Sequence, residues 1–199
     1  MLKKIKMNET VETILYCFLG LLIAVSLNRG LALALGTSLP VVTVSSKSMV
    51  PTLKVGDIAV IYGREEYQLE DIIVFDGWEK EPIIHRIVGV VERKDKETIV
   101  EKDKRLDLSE KELKNYGEDF FSKNNISKFY ITKGDGNRRC DQCYGYSPVL
   151  EPKIHGKSVV VIPYLGWVKL LAFQYIIYNP IGLGVVGILV GLFILYKLM

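Results

Sequence analysis

The chain has 199 residues, of which 49% are hydrophobic and 25% are charged, and its formal net charge is +3. This length allows one domain with appendages. The small net charge and the lack of a basic patch interleaved with aromatic residues argue against a nucleic-acid partner. Three cysteines are too few for a disulfide framework.

The N-terminal segment is predicted to anchor the chain in a membrane. Three lysines within the first six residues precede an apolar run, Val11–Leu27, which resumes after a polar interruption and continues to Gly36. Counted through to Gly36, the run is long enough to cross a bilayer as a helix. Flanking lysines stay on the cytoplasmic side, so residues 1–10 are assigned to a cytoplasmic N-terminus and residues 11–36 to a transmembrane anchor.

Two other interpretations of this segment are a buried core helix and a cleavable secretory signal, which shares the charged start and apolar middle. The small residues in Ala32–Gly36 would suit a cleavage site. Cleavage there would leave the serine-rich stretch Ser45–Met49 almost at a new N-terminus, so we favour an uncleaved anchor.

The stretch Ser45–Gly56 contains a candidate nucleophile, Ser48. It follows the run Val41–Val44, which alternates like a strand, and Pro51 restricts the backbone just beyond the serine. Ser48 is therefore predicted to lie where a strand gives way to a turn. The same pattern describes an ordinary turn serine, so a catalytic role requires a base elsewhere in the chain.

Residues 37–165 are predicted to form a mainly β domain outside the membrane. Its short β-branched runs are bounded by Gly, Pro and Asp, as in a meander or a small barrel. The predicted strands are Val41–Val44, Asp57–Tyr62, Asp71–Phe75, Ile83–Val91, Phe129–Lys133 and Ser158–Ile162. Residues 92–128 are predicted to be an exposed, charged insertion that is helical only around Ser109–Tyr116.

The C-terminal part is predicted to return to the membrane. Residues 166–180 mix tryptophan and tyrosine with lysine, which is typical of an interfacial segment. Residues 181–196 are apolar, with glycines spaced for close helix contact, and are predicted to be a second transmembrane helix. We therefore expect a multi-pass protein of the cell membrane with its β domain on the extracytoplasmic side.

The chain contains two histidines. His85 lies inside an apolar strand, where alternation places it on the same face as Ile83 and Ile87; His155 lies in a segment typical of a loop. A histidine in an apolar strand is usually structural. Ser48, His85 and an aspartate nevertheless supply the minimum for acyl transfer, because an imidazole oriented by a carboxylate can take the hydroxyl proton.

Two aspartates are candidates for that carboxylate. Asp135 lies in a Gly-Asp-Gly-Asn turn, and Asp141 lies between Cys140 and Cys143. The cysteines fit a redox pair, half of a zinc site or, in an oxidising compartment, a small disulfide. His155 alone adds too few ligands for a closed metal site, so we expect no metal and no cofactor.

Five ordered motifs resemble those of type I signal peptidases, in the archaeal and endoplasmic-reticulum branch that has histidine in place of the bacterial lysine base. They are Ser46–Leu53, Gly56-Asp57 with Asp71–Phe75, Ile84–Ile87, Thr132–Asn137 with Asp141, and Ile162–Gly166. The resemblance covers most of Pro40–Gly166 apart from the insertion. It implies a small signal-peptidase-type β domain, with an exposed helical insertion and flanking transmembrane helices, that cleaves signal peptides from exported preproteins after small residues.

The resemblance also implies roles for individual residues. Ser48 matches the nucleophile, His85 the general base, and Asp141 the carboxylate that orients the base. Asp135 matches a supporting turn aspartate. Ser46 matches the position whose hydroxyl assists the backbone N–H of the nucleophile in holding the oxyanion.

Two positions depart from the family pattern. Lys47 stands where a glycine usually precedes the nucleophile, and Gly136 replaces an asparagine. Lys47 introduces a rival mechanism, a serine–lysine dyad. Adjacent residues of an extended segment point to opposite faces, so we favour His85 as the base.

The expected partners are membrane lipid and signal peptides in extended conformation, bound beside Val41–Ser46 with small side chains over Val44 and Ile84. Whether accessory subunits take part stays open. One alternative function is a non-catalytic, membrane-anchored peptide-binding β module, in which Ser48 is only a turn serine. Another is a redox protein that uses Cys140 and Cys143.

Overall fold

The computed structural model describes residues 9–64, 66–95, 97–124, 126–172, 174, 184, 188, 191–193 and 195–196. Leu35–Trp167 forms one compact unit, and the terminal segments belong to a second. All of the β strands lie in the first unit.

The N-terminal helix α1 spans Glu9–Ala34. It continues through Asn28-Arg29-Gly30, the polar interruption in the apolar run. Its 26 residues correspond to about 39 Å at 1.5 Å per residue, which exceeds the hydrocarbon thickness of a bilayer. Its length and composition make α1 an apolar helix long enough to cross a membrane, and none of its side chains is buried.

Seven antiparallel strands form the domain within the described residues, and six of them correspond to the predicted β-branched runs bounded by turn residues. They are β1 (Val41–Thr43), β2 (Ile58–Tyr62), β3 (Ile72–Phe75), β4 (Ile83–Lys94), β5 (Glu97–Lys102), β6 (Lys128–Lys133) and β7 (Ile154–Ile162). Their order is β1-β2-β7-β3-β4-β5, and β6 pairs with β4. The prediction of a mainly β domain with an apolar N-terminal helix is therefore confirmed.

The insertion at 92–128 is more ordered and less exposed than its charged composition predicts. Its first part extends β4 and forms β5, which pairs with β4 from Gly89↔Lys102 to Lys94↔Glu97. Helix α2, Glu110–Lys123, begins with a capping box between Ser109 and Glu112. The expectation of a wholly exposed insertion is wrong because one face of α2 is buried against β4 and β6.

Helix α3 spans Trp167–Ala172, within the predicted interfacial segment. Most of residues 175–196, including most of the predicted second transmembrane helix at 181–196, lies outside the described residues. That helix therefore stays a prediction.

The long strand β4 organises the domain. It pairs with β3 through Ile83–Arg86, with β6 through Arg86–Glu92 and with β5 through Gly89–Lys94. Buried apolar clusters pack around it, so its backbone is fixed along most of its length. His85 and Arg86 lie on this strand, in the part that pairs with β3.

We predict that the insertion contributes to the stability of the domain. The Leu113 side chain is fully buried between α2 and the sheet, so Leu113→Ala should lower the free energy of unfolding by about 2–5 kcal/mol. The matched control is Lys114→Ala on the exposed face of the same helix, which should change it by less than about 0.5 kcal/mol. Equal stabilities of the two variants in chemical denaturation would contradict this packing.

Candidate active site

Ser48 lies in a loop whose two ends are joined. The Val44 N–H donates to the Asp57 carbonyl, and the Gly56 N–H donates to the Val44 carbonyl, both at 2.9 Å. Inside the loop, the side chains of Met49 and Leu53 are fully buried among residues of β2 and β3. The segment beside Ser48 is thus anchored in the core, while Ser48 itself remains partly exposed.

Two hydroxyl groups meet in this loop. Ser48 Oγ lies 3.1 Å from Ser46 Oγ, within hydrogen-bond distance. Lys47, between them, has an exposed side chain and is not among the residues that line the adjacent cleft. The loop therefore presents Ser46 and Ser48 together, and the Lys47 side chain lies outside the cleft.

His85 on β4 is hydrogen-bonded to Asp141. Its Nδ1 lies 2.7 Å from Asp141 Oδ2, and the two side chains are only 7% and 3% exposed. An ionised carboxylate can only accept, so the proton of a neutral His85 ring lies on Nδ1. Nε2 is then the nitrogen with a lone pair, as a general base requires.

Thr132 on β6 holds Asp141 in place. Its hydroxyl donates to Asp141 Oδ2 at 2.7 Å, and its carbonyl accepts from the Asp141 N–H at 2.8 Å. Thr132 is fully buried, so these hydrogen bonds are shielded from water. The carboxylate that faces His85 is therefore fixed by both the backbone and the side chain of a neighbouring strand.

Gly134 allows the Ser48 loop to approach the imidazole. A Cβ at this position would lie 2.5 Å from the Ser48 carbonyl oxygen and 3.0 Å from His85 Nε2. Two residues on, the Gly136 N–H donates to the same Ser48 carbonyl at 2.8 Å, and a Cβ there would lie 2.9 Å from the Val50 carbonyl oxygen. The glycine at 136, a departure from the family pattern, thus suits the close packing of the two loops.

Ser46, Ser48, His85 and Asp141 line one cleft of about 600 Å³. Within the described residues, Ser48 Oγ is hydrogen-bonded to Ser46 rather than to His85. Hydrogen bonds between catalytic groups are often long in a free enzyme and tighten only in the complex with substrate. The arrangement brings a hydroxyl, an oriented imidazole and a buried carboxylate to one surface.

Asp135 is in a different environment from Asp141. Its carboxylate accepts from Arg86 Nε at 2.8 Å and from Arg86 Nη2 at 2.6 Å, and it also accepts from the Thr52 hydroxyl. Burial raises the pKa of Asp135, but the hydrogen bonds from Arg86 and Thr52 outweigh it and leave the pKa lowered. Asp135 therefore connects the Ser48 loop to β4 and is not the carboxylate that contacts His85.

The insertion also reaches this side of the site. Arg105 lies 3.9 Å from Asp135 and forms a bidentate pair with Asp103. The hydrogen bond from Arg105 lowers the pKa of Asp103 and outweighs the effect of burial. Lys133 Nζ donates to the carbonyls of Arg105 and Arg138, each at 3.0 Å, so the insertion supports the turn that carries Asp135.

The other histidine belongs to a second Ser–His–Asp set. His155 lies 2.9 Å from Ser38 Oγ through Nδ1 and 2.9 Å from Asp76 Oδ1 through Nε2. His155 begins strand β7, so its assignment to a loop is wrong. The Asp76 side chain is 64% exposed and Ser38 is also exposed, so this set lacks the buried carboxylate that makes the first set suited to catalysis.

Sequence reasoning did not single out three residues of the site. Thr132 lies within one of the five motifs, where the resemblance assigns it no role, and neither Trp78 nor Tyr146 belongs to a motif. The rings of Trp78 and Tyr146 stack at 3.9 Å and line the cleft. Only tertiary structure brings these two together, since they lie on separate loops.

Comparison with known proteins gives a family match and several relatives. The family model described as "Signal peptidase, peptidase S26" matches residues 11–150. The signal peptidase complex catalytic subunit SEC11 of Ogataea parapolymorpha is 30% identical over 156 residues, covering 75% of this chain and 76% of that protein. The protein of the same name from Talaromyces marneffei is 28% identical over 189 residues, covering 92% and 91% respectively.

We predict that the Asp135 ion pair makes stability depend on pH at the acid end. Because the pKa of Asp135 is lower in the folded chain than its ordinary value of 3.8, its contribution is fully present above pH 3.8 and is lost as the pH falls through the folded-state pKa. Thermal unfolding followed by circular dichroism should show a falling midpoint in this range and a shallower fall for Asp135→Asn. Asp119→Asn, on the exposed face of α2, is the control and should keep the wild-type slope.

Proposed function

The chain belongs to the peptidase S26 family of signal peptidases, and from this premise we propose that Ser48 is its catalytic nucleophile and His85 its general base. The protein is a serine peptidase that cleaves signal peptides. The observation that carries the proposal is the buried contact of 2.7 Å between His85 Nδ1 and Asp141, in the cleft that Ser48 lines.

The acylation step follows from this geometry. Ser48 Oγ attacks the carbonyl carbon of the scissile peptide bond while His85 Nε2 takes the hydroxyl proton. Asp141 holds the ring with Nε2 available and stabilises the imidazolium that forms. His85 then gives the proton to the leaving amine, so the C–N bond breaks and the signal peptide remains as an ester on Ser48.

The tetrahedral intermediate carries a negative oxygen, which requires hydrogen-bond donors. The Ser46 hydroxyl, 3.1 Å from Ser48 Oγ, is proposed to donate to this oxyanion together with the Ser48 N–H. In the second half of the reaction His85 takes a proton from water, the resulting hydroxide attacks the ester, and the proton returns to Ser48 Oγ. The released products are the signal peptide carboxylate and free enzyme.

The cleft suits an extended peptide. Strand β1 lies at the end of the strand order, so its outer edge offers backbone groups to a further strand, and Val42 and Thr43 line the cleft. Val44 and Ile84 also line it and are 2% and 8% exposed. We propose that these two side chains limit the pockets for substrate residues −1 and −3 to small side chains.

The membrane setting is proposed from α1 together with the sequence. Helix α1 would anchor the chain, with the β domain on the extracytoplasmic side of the cell membrane, and a second helix at 181–196 would make the protein multi-pass. Tethering restricts the search to cleavage sites close to the bilayer and raises their effective concentration. Because the relatives are named catalytic subunits of a signal peptidase complex, accessory subunits and membrane lipid are proposed partners in addition to the signal peptide.

We predict that loss of the nucleophile or the base abolishes turnover. With the full chain in detergent and a preprotein as substrate, Ser48→Ala and His85→Ala should each lower kcat by on the order of 10³-fold or more, and Asp141→Asn by a comparable factor. Lys47→Ala is the matched control beside the nucleophile and should retain wild-type kcat.

These variants also separate the competing mechanisms and functions. If Lys47→Ala lost activity and His85→Ala retained it, the general base would be Lys47, as in a serine–lysine dyad. Peptide binding that Ser48→Ala leaves unchanged, with no cleavage by the unmutated chain at any concentration, would instead favour the peptide-binding module.

We predict that Val44 limits the size of the residue accepted at −1. Val44→Ala removes two methyl groups from the wall of the cleft. The ratio of kcat/KM for a preprotein with valine at −1 to that for one with alanine should therefore rise by about tenfold. Val159→Ala, at an exposed position on β7, is the control and should leave the ratio unchanged. An unchanged ratio in Val44→Ala would show that the −1 side chain binds elsewhere.

A further inference from the structure

The loop at residues 140–147, between β6 and β7, is closed by a disulfide. Cys140 and Cys143 are bonded to each other, and the Cys143 N–H donates to the Cys140 carbonyl at 3.1 Å. Cys140 is fully buried in the apolar cluster that includes Phe129 and Ile131, whereas Cys143 is only partly buried. Cys143 packs against the edge of the same cluster, so Cys140 is fixed in the core and Cys143 is the more accessible of the two residues.

The ring contains the carboxylate of the proposed active site. Asp141 follows Cys140 directly, and its carbonyl accepts from the N–H groups of Tyr144 at 3.0 Å and Tyr146 at 3.4 Å. Gln142, the other residue inside the ring, accepts from the Thr132 N–H at 2.9 Å through Oε1. The disulfide thus closes around the two residues that attach this loop to β6.

The same loop contributes one wall of the cleft. Tyr146 stacks on Trp78 with the two ring planes 5° apart, and Trp78 lies 6.5 Å from the His85 ring. Opening the Cys140–Cys143 disulfide would therefore affect the position of both the Asp141 carboxylate, which contacts His85, and the stacked Tyr146 and Trp78 rings. The orientation of the base has the greater effect on the reaction, because it acts on the reacting atoms.

We propose that the Cys140–Cys143 disulfide is a positioning element of the active site, and that a dithiol reductant lowers catalysis by releasing Asp141 from His85. This inference rests on the proposed function of Ser48, His85 and Asp141. The redox chemistry regulates the hydrolytic site, in contrast to the alternative of a redox protein, for which the cysteines would be the catalytic groups.

A dithiol reagent supplies the two electrons that reduce the Cys140–Cys143 disulfide. A thiolate of the reagent attacks the more accessible Cys143 sulfur, the disulfide bond breaks, and Cys140 leaves as a thiolate that takes up a proton. The second thiol of the reagent attacks the mixed disulfide, which releases Cys143 as a thiol and the reagent as a cyclic disulfide. Two electrons pass from the dithiol to the cysteine pair, and removal of the reductant in the presence of a disulfide oxidant reverses the step.

The test uses the full chain in detergent with Cys17→Ala, which removes the remaining cysteine, located in α1. Preprotein cleavage is measured for the oxidised protein, for the protein reduced with dithiothreitol, and after reoxidation. We expect reduction to lower kcat by about 10- to 100-fold, as loss of orientation of a catalytic group does, with a smaller change in KM and recovery on reoxidation. Circular dichroism at the assay temperature reports whether the reduced protein remains folded.

Cys143→Ser provides a second, irreversible version of the reduced state, since it leaves buried Cys140 in place. Its kcat should match that of the reduced protein and should not respond to dithiothreitol. Equal kcat in the oxidised and reduced proteins would overturn the inference while leaving the proposed function intact. A loss of activity that only follows the unfolded fraction would also overturn it, and failure of the oxidised protein to cleave at all would overturn the proposed function itself.

Discussion

The hydrogen bond between His85 and Asp141 is the interaction on which the proposed chemistry depends. It joins a residue near the start of strand β4 to a residue in a loop 56 positions later, and both side chains are almost fully buried. Burial makes such a contact strong when it is satisfied and costly when one partner is missing. The hydroxyl of Thr132 completes the set, so the carboxylate has defined partners on two strands.

The rest of the site is arranged around this pair by close approach of loops. Gly134 and Gly136 leave room for the Ser48 carbonyl, and the Arg86–Asp135 pair holds the same turn to β4. Thr52 adds a hydrogen bond from the Ser48 loop to Asp135. The serine is thus positioned by contacts to its backbone and its neighbours, and its hydroxyl lies in the cleft beside that of Ser46.

Local patterns in the sequence predict much of this fold. Strands such as Ile72–Phe75 have β-branched runs between turn residues, and α2 has a capping box, so both follow from nearest neighbours along the chain. Strand β5 was not predicted, because its Thr98–Val100 run is short and lies between charged residues, and its strand structure depends on pairing with β4. The start of β7 at Ile154, which places His155 in the sheet, likewise depends on pairing with β3.

Residue types and motif order singled out Ser48, His85 and two aspartates, but spacing could not decide which aspartate faces the imidazole. That choice depends on where the chain turns after β6, a property of tertiary packing. The contribution of Thr132 and the stacking of Trp78 on Tyr146 are similarly long-range.

The register of strand β4 has a further consequence. His85 and Arg86 are adjacent on this strand and face opposite ways, His85 toward Asp141 and Arg86 toward Asp135. A slip of one residue in the pairing of β4 would exchange the positions of imidazole and guanidinium, so the site depends on the register that pairs Ile83–Arg86 with β3.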